Sequence, residues 1–328
     1  MKNHQSPLST ALTEMLSIDF PIIQAPMFLV SNVKMAIAAS SAGITGCIPA
    51  MNYRSCEDLR NAILDFKKDT NGPLGINLIV NKFNSKIDNQ LNVCIETNVE
   101  YIITSLGNPK RIIDACKPKG IKVFCDVVNL EYAKKVELLG ADAVIAVNNR
   151  AGGHLGPMSP EELIPLLVSN CKIPVISAGG VSDGFQLKKI LDLGAAGVSI
   201  GTPFIATHES DVSLDYKQAI VDYDANDIVV TDRISGSKCT IINTPYVKSI
   251  NLNANWLERF LFRNKWLKKY FKMLRWFIGT KMFEKSAFQA TYKSVWCAGP
   301  SLEGVHSIRH VSQVVKDIIE PLMTEGDN

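Results

Sequence analysis

The stretch PVISAGGVSDGFQLKKILDLGAAGVSIGTPF, residues 174 to 204, holds one complete repeat of the pattern that decides the fold. It opens on a short apolar, β-branched run, Pro174 to Ser177, and turns through Ala178-Gly179-Gly180. A segment of helical periodicity, Asp183 to Leu193, stops at Gly194, and a second apolar run, Gly197 to Ile200, leads into Gly201-Thr202. Runs that are apolar almost throughout and are joined by helices belong to parallel strands buried on both faces.

The same unit recurs toward the N-terminus. Further strand candidates are Pro21 to Ala25, Ile44 to Ile48, Leu74 to Leu78, Tyr101 to Ser105, Lys122 to Val127 and Ala143 to Val147, which brings the count to eight. Helix candidates such as Cys56 to Lys67, Leu130 to Leu139 and Pro160 to Ser169 lie between them, several opened by a capping residue or proline and one closed by Gly140. Eight β/α units imply a closed (β/α)8 TIM barrel. A doubly wound open sheet would carry G-x-G-x-x-G after the first strand, where this chain has Ala25-Pro26-Met27.

The rhythm breaks from Glu209 to about Ser301, which reads as an appended, mostly helical element after the eighth strand. The expected organisation is a barrel formed by residues 1–208 together with 300–328, and a helical lid or small domain over 209–299. Within Asn255 to Phe283, the run WLERFLFRNKWLKKYFKMLRWF (256–277) sets basic residues between apolar ones at helical spacing. Such an amphipathic basic helix can touch a membrane surface or cover a site, but packing on the barrel with its lysines in solvent is the favoured reading. Val305 to Met323 reads as a last helix covering the barrel.

Bulk properties narrow the function. A net charge of +3 from 35 basic and 32 acidic side chains gives no sign of a nucleic-acid binder, so small molecules are the expected partners. The eight cysteines show no C-x-x-C spacing, which fits reduced thiols in a cytoplasmic protein rather than a zinc ribbon or disulfide scaffold. No basic-then-apolar leader opens the chain, and no apolar stretch approaches the roughly 18 residues of a membrane span. The sequence sets no oligomeric state.

In such barrels the site lies at the carboxyl ends of the strands, and phosphate groups are held by the loops after the seventh and eighth. Here those loops are Ala178-Gly179-Gly180 and Ser199-Ile200-Gly201-Thr202. Glycines let backbone N–H groups approach phosphate oxygens, so the pair of loops predicts a phosphorylated ligand. Either loop alone is as readily a matter of turn geometry.

After the sixth strand stands Ala151-Gly152-Gly153-His154-Leu155-Gly156. Its glycines leave room for a flat ring, and a histidine with an ordinary pKa of ~6.5 suits proton abstraction near neutral pH. A loop histidine often only bonds a nearby carbonyl; the flanking glycines and the strand-end position favour His154 as a catalytic base. Asn77, Ser105 and Asp126 end the third, fourth and fifth strands with polar groups. Asp126 could contact a ribityl hydroxyl or be a satisfied structural carboxylate.

Taken in order, Ala25-Pro26-Met27, Gly75-Ile76-Asn77, Ala151-Gly152-Gly153-His154-x-Gly156, Ala178-Gly179-Gly180 and Ile200-Gly201-Thr202 resemble the motif series of the nitronate monooxygenase family. The resemblance implies FMN and no bound metal. It places Ala25, Pro26 and Met27 against the flavin ring, Asn77 on its polar atoms and Gly152 and Gly153 near the ring. It sets Gly179, Gly180, Ser199, Ile200, Gly201 and Thr202 around the phosphate and gives His154 the substrate proton, with O2 as oxidant.

The family often has Gln-Gly-x-Glu before this histidine motif, whereas this chain has Val147-Asn148-Asn149-Arg150. Arg150 is therefore expected to favour an anionic substrate, with Ser105 beside it. The rival reading is an NAD(P)H-dependent FMN reductase of enoyl thioesters or quinones. A flavin-binding scaffold and a phosphosugar enzyme are the readings from other classes.

Overall fold

The computed structural model describes residues 8–81, 84–232, 237–250, 278–279, 281–289, 291 and 293–324. Its barrel strands are β1 (Ile22–Gln24), β2 (Thr45–Pro49), β3 (Leu74–Ile79), β4 (Tyr101–Ser105), β5 (Lys122–Val127), β6 (Ala143–Val147), β8 (Val175–Ala178) and β9 (Gly197–Ile200). They pair in parallel in that order and close where Ile22 meets Val198. Between β6 and β8 lies the two-residue β7 (Gly153–His154). The strands expected over 101–105, 122–127, 143–147 and 197–200 have the bounds read from the sequence. Strand β8 starts one residue late, because Pro174 has no N–H to donate, although its carbonyl accepts from Val144 N at 3.0 Å.

Inside the barrel, Ile23, Cys47, Tyr101, Ile103, Phe124, Ile145 and Ile176 form one buried cluster. The Tyr101 and Phe124 rings stack with centroids 5.0 Å apart. Tyr101 fits because β3 carries Gly75, where a Cβ would collide with its ring. Leu12 and Leu16, from the helix Ala11–Leu16, join the same cluster. That helix is tied down by its N-cap Thr10, whose Oγ1 donates to Ala196 O at 2.7 Å. Outside the strands a second core fills the space under the helices that follow β2 to β6, and a third lies under those that follow β8 and β9.

Beyond the barrel, β10 (Ile228–Thr231) and β11 (Cys239–Ile242) form an antiparallel hairpin, and β11 also pairs antiparallel with β7. This small sheet was absent from the mostly helical element expected after the eighth strand. The described helix Leu214–Asp222 places Tyr216, Ala219 and Ile220 in a core shared with Phe204, Leu302 and Val315. Most of the basic amphipathic segment expected over 255–283, including the membrane-contact candidate 256–277, lies outside the described residues.

The last helix, Val311–Thr324, starts later than the expected Val305. Arg309 instead forms a parallel bridge with Thr207, donating from its amide to Ala206 O at 3.2 Å and accepting from His208 N at 2.9 Å. Among the described residues no helix is long and apolar enough to cross a membrane.

Candidate active site

A cavity of about 820 Å³ opens at the carboxyl ends of the barrel strands. Its lining brings together Ala25, Pro26, Met27, Asn77, Ser105, Gly152, Gly153 and His154. Gly179, Gly180, Ser199, Ile200, Gly201 and Thr202 line the same space, so every sequence-derived site residue except Arg150 faces one cavity.

The first wall is a pinned loop. Ser31 Oγ donates to Ala25 O at 2.7 Å and accepts from Met27 N at 2.9 Å, so one hydroxyl fixes both ends of Ala25-Pro26-Met27. Gln24 Nε2, fully buried, donates to Ser31 Oγ at 2.8 Å. Neither Ser31 nor Gln24 was singled out in the sequence, although a glutamine inside an apolar strand was a usable signal.

The second wall is polar and continuous. Asn77 Nδ2 donates to Ser105 Oγ at 2.8 Å, and Ser105 Oγ donates on to Asp126 Oδ2 at 2.5 Å. The Asp126 carboxyl is pushed up to about 6: desolvation raises it, and the Ser105 bond only partly opposes the rise. Among the described residues no cation forms an ion pair with Asp126.

The third wall carries His154 and depends on long-range partners. Register sets Cys239 opposite His154 and Thr240 opposite Gly153. Thr240 Oγ1 donates to Ala151 O at 2.9 Å and to Gly153 O at 3.3 Å. At the base of the loop, buried Asn148 acts as a hub. Its Oδ1 accepts from Arg150 N at 2.8 Å, and its Nδ2 donates to Gly179 O at 3.0 Å, tying this loop to the glycine turn after β8.

His154 is solvent-accessible and lines the cavity. Protein surrounds it closely enough that desolvation lowers its pKa below the ordinary histidine value. Desolvation thus works against the imidazolium and favours the neutral form that a base requires.

The glycine turns are required by shape. Gly179 has φ 114° and Gly180 φ 82°, and a Cβ on either would strike the 148–151 loop. Thr202 Oγ1 accepts from Gly299 N at 2.9 Å, so the Ala298-Gly299 segment closes over the turn after β9. The glycine turns after β8 and β9 thus stand at adjacent strand ends and line one cavity, the position at which such barrels hold phosphate groups. The roof is aromatic: Tyr216 and Trp296 stack with centroids 5.7 Å apart, and Tyr216 Oη donates to Cys297 O at 2.6 Å.

Arg150 corrects the expectation drawn from its position. Its guanidinium pairs with Glu161 at 3.2 Å on the helix Pro160–Asn170, and it is not among the lining residues. Lys189 holds the same carboxylate at 2.7 Å, and these partners draw Glu161 down to about 2, the Lys189 hydrogen bond first. Lys238, by contrast, is among the residues that line the cavity.

Comparison with known proteins agrees with this geometry. The family model described as nitronate monooxygenase matches residues 9–321. The (3aS,4S,5R,7aS)-5-hydroxy-7a-methyl-1-oxo-octahydro-1H-indene-4-carboxyl-CoA dehydrogenase of Rhodococcus jostii is 32% identical over 250 residues, covering 76% of this chain and 70% of that protein. A nitronate monooxygenase of Paraburkholderia phytofirmans is 30% identical over 272 residues, covering 69% of this chain and 74% of its own. Among solved structures, FabK from Thermotoga maritima superposes with a TM-score of 0.84 at 30% identity, over 97% of each chain.

Proposed function

The chain belongs to the nitronate monooxygenase family of FMN-dependent oxidoreductases, and from that premise we propose that it oxidises alkyl nitronates with O2, His154 handling the substrate proton. The observation that carries the reading is that His154 lines the same cavity as the glycine turns after β8 and β9. Bound FMN would supply the electron acceptor and the route to O2.

The chain's own residues supply the rest. Gly179, Gly180, Gly201 and Thr202 would hold the phosphate through backbone groups, and Ala25 to Met27, fixed by Ser31, would form the bed of the ring. Asn77, oriented by Ser105 and Asp126, would meet its polar edge. When the substrate enters as the neutral nitroalkane, His154 takes the α-proton, and the resulting imidazolium offsets the charge of the nitronate. The described residues within 209–299 would act as a roof on the barrel unit of 1–208 and 300–328, since Tyr216, Cys239 and Trp296 line the cavity.

A second reading, NAD(P)H-dependent reduction of an enoyl thioester or quinone, is favoured by the likeness to a carboxyl-CoA dehydrogenase. Anaerobic mixing with propyl nitronate, and separately with NADH or NADPH, decides between them. Bleaching of the flavin by nitronate supports oxidation, with the proton role of His154 read from a slower reaction of His154→Ala on the neutral nitroalkane; bleaching by NADH or NADPH alone makes the protein a reductase.

A further inference from the structure

Where β4 and β5 end, the cavity wall turns apolar. Leu106 and Tyr132 are 48% and 42% exposed, and both line the cavity beside Pro109 and Val128. Leu106 has φ 60°, a left-handed backbone that costs a residue with a side chain on the order of 1–3 kcal/mol.

Leu106 is held there from both sides. Ser105 is fixed by Asn77 and Asp126, and its carbonyl accepts from Val80 N at 2.8 Å. Gly107 packs so closely on the Val80 carbonyl that a Cβ would collide with it. Tyr132 lies in the first turn of the helix Leu130–Leu138, its amide donating to the N-cap Asn129 at 2.9 Å. Its ring stands 5.6 Å from Lys135 Nζ.

Two large apolar side chains are thus kept open to the cavity, one of them on a strained backbone. Leu138, Phe185 and Leu214 are more exposed still, but none of them lines the cavity; Leu106 and Tyr132 do, where covering such a side chain gains roughly 1.5–3 kcal/mol. The polar chain of Asn77, Ser105 and Asp126 lies directly beside the shelf, so a molecule reacting at His154 can reach it without leaving the cavity.

We infer that Leu106, Pro109, Val128 and Tyr132 form a substrate-tail subsite, and that the preferred substrates carry an alkyl chain seated on this shelf. The reacting end rests on the nitronate reading above; the tail does not.

The holoenzyme is assayed with primary alkyl nitronates from ethyl to octyl. In parallel, binding of inert n-alkanoates of the same lengths is read from the absorbance of the bound flavin. In the wild type each added methylene should raise kcat/KM, and tighten alkanoate binding, by up to about fourfold until the shelf is filled. Leu106→Gly and Tyr132→Ser should flatten both slopes. Leu106→Gly relieves the left-handed strain, so its Tm should not fall and a flattened slope cannot be put down to misfolding.

A flat wild-type slope, or slopes unchanged by both substitutions, overturns the inference. Absence of nitronate turnover with the alkanoate slope intact, and flattened in the variants, removes the reaction reading and leaves the subsite standing.

Discussion

Gly152 and Gly299 pack backbone against backbone: a Cβ on Gly152 would lie 2.9 Å from Gly299 N, and one on Gly299 would lie 2.8 Å from Gly152 N. The loop that carries His154 is therefore located by a segment almost 150 residues further along the chain. Gly299→Ala should push that loop aside while leaving the barrel strands paired. A loss of about 1–3 kcal/mol in stability is expected from overpacking, with a fall of roughly tenfold or more in kcat/KM. Thermal melts and steady-state rates check both, and an unaltered kcat/KM would mean that the contact does not locate His154.

Arg150 gives the opposite expectation. Its guanidinium is spent on Glu161, which Lys189 continues to hold when the arginine is gone. Partly exposed ion pairs contribute about 0–1 kcal/mol, so Arg150→Ala should barely shift Tm. Turnover of charged and neutral substrates should stay within about threefold of wild type, because no lining atom is removed. A selective loss on nitronates would return the anion-binding role to this residue.

The two residues show what could and could not be read from the sequence. The barrel strands were legible because β-branched apolar runs declare themselves locally, and Gly179-Gly180 and His154 were legible because strand ends point at the site. Asn148 was visible only as a departure from a motif, since its value lies in the bond to Gly179 O, 31 residues away. The pairing of β11 with β7 was illegible for the same reason: β7 is two residues long and forms only because Thr240 and Cys239 come alongside. The side-chain direction of Arg150 and the left-handed backbone of Leu106 leave no periodic or compositional trace.

Asp126 should make the apoprotein less stable at neutral pH. Its folded pKa of about 6 stands above the ordinary 3.8, so between those values the folded state keeps a proton that the unfolded chain has released. Stability accordingly falls as pH rises through that window, and the deficit is complete above it. Asp126→Asn keeps an acceptor for Ser105 and removes the charge, so it should raise stability at pH 7.5 by on the order of 3 kcal/mol and by well under 1 kcal/mol at pH 4. Denaturant titrations of flavin-free protein at the two pH values test this; a gain of equal size at both would mean that charge is not the cause.

His154 supplies the sharpest separation of roles. Desolvation holds its imidazole below the ordinary histidine pKa, so the acid limb of kcat/KM for a neutral nitroalkane should fall below pH ~6.5. His154→Ala should lose on the order of 10²–10⁴ in kcat/KM for the neutral nitroalkane, which must give up its α-proton. The preformed nitronate has already lost that proton, so its loss should be much smaller, limited to the charge that an imidazolium would have offset. Measured side by side, the two substrates distinguish a base from a residue that merely shapes the cavity. Equal losses on both would assign His154 to positioning, and a wild-type acid limb at or above the ordinary value would mean that the cavity does not desolvate the ring.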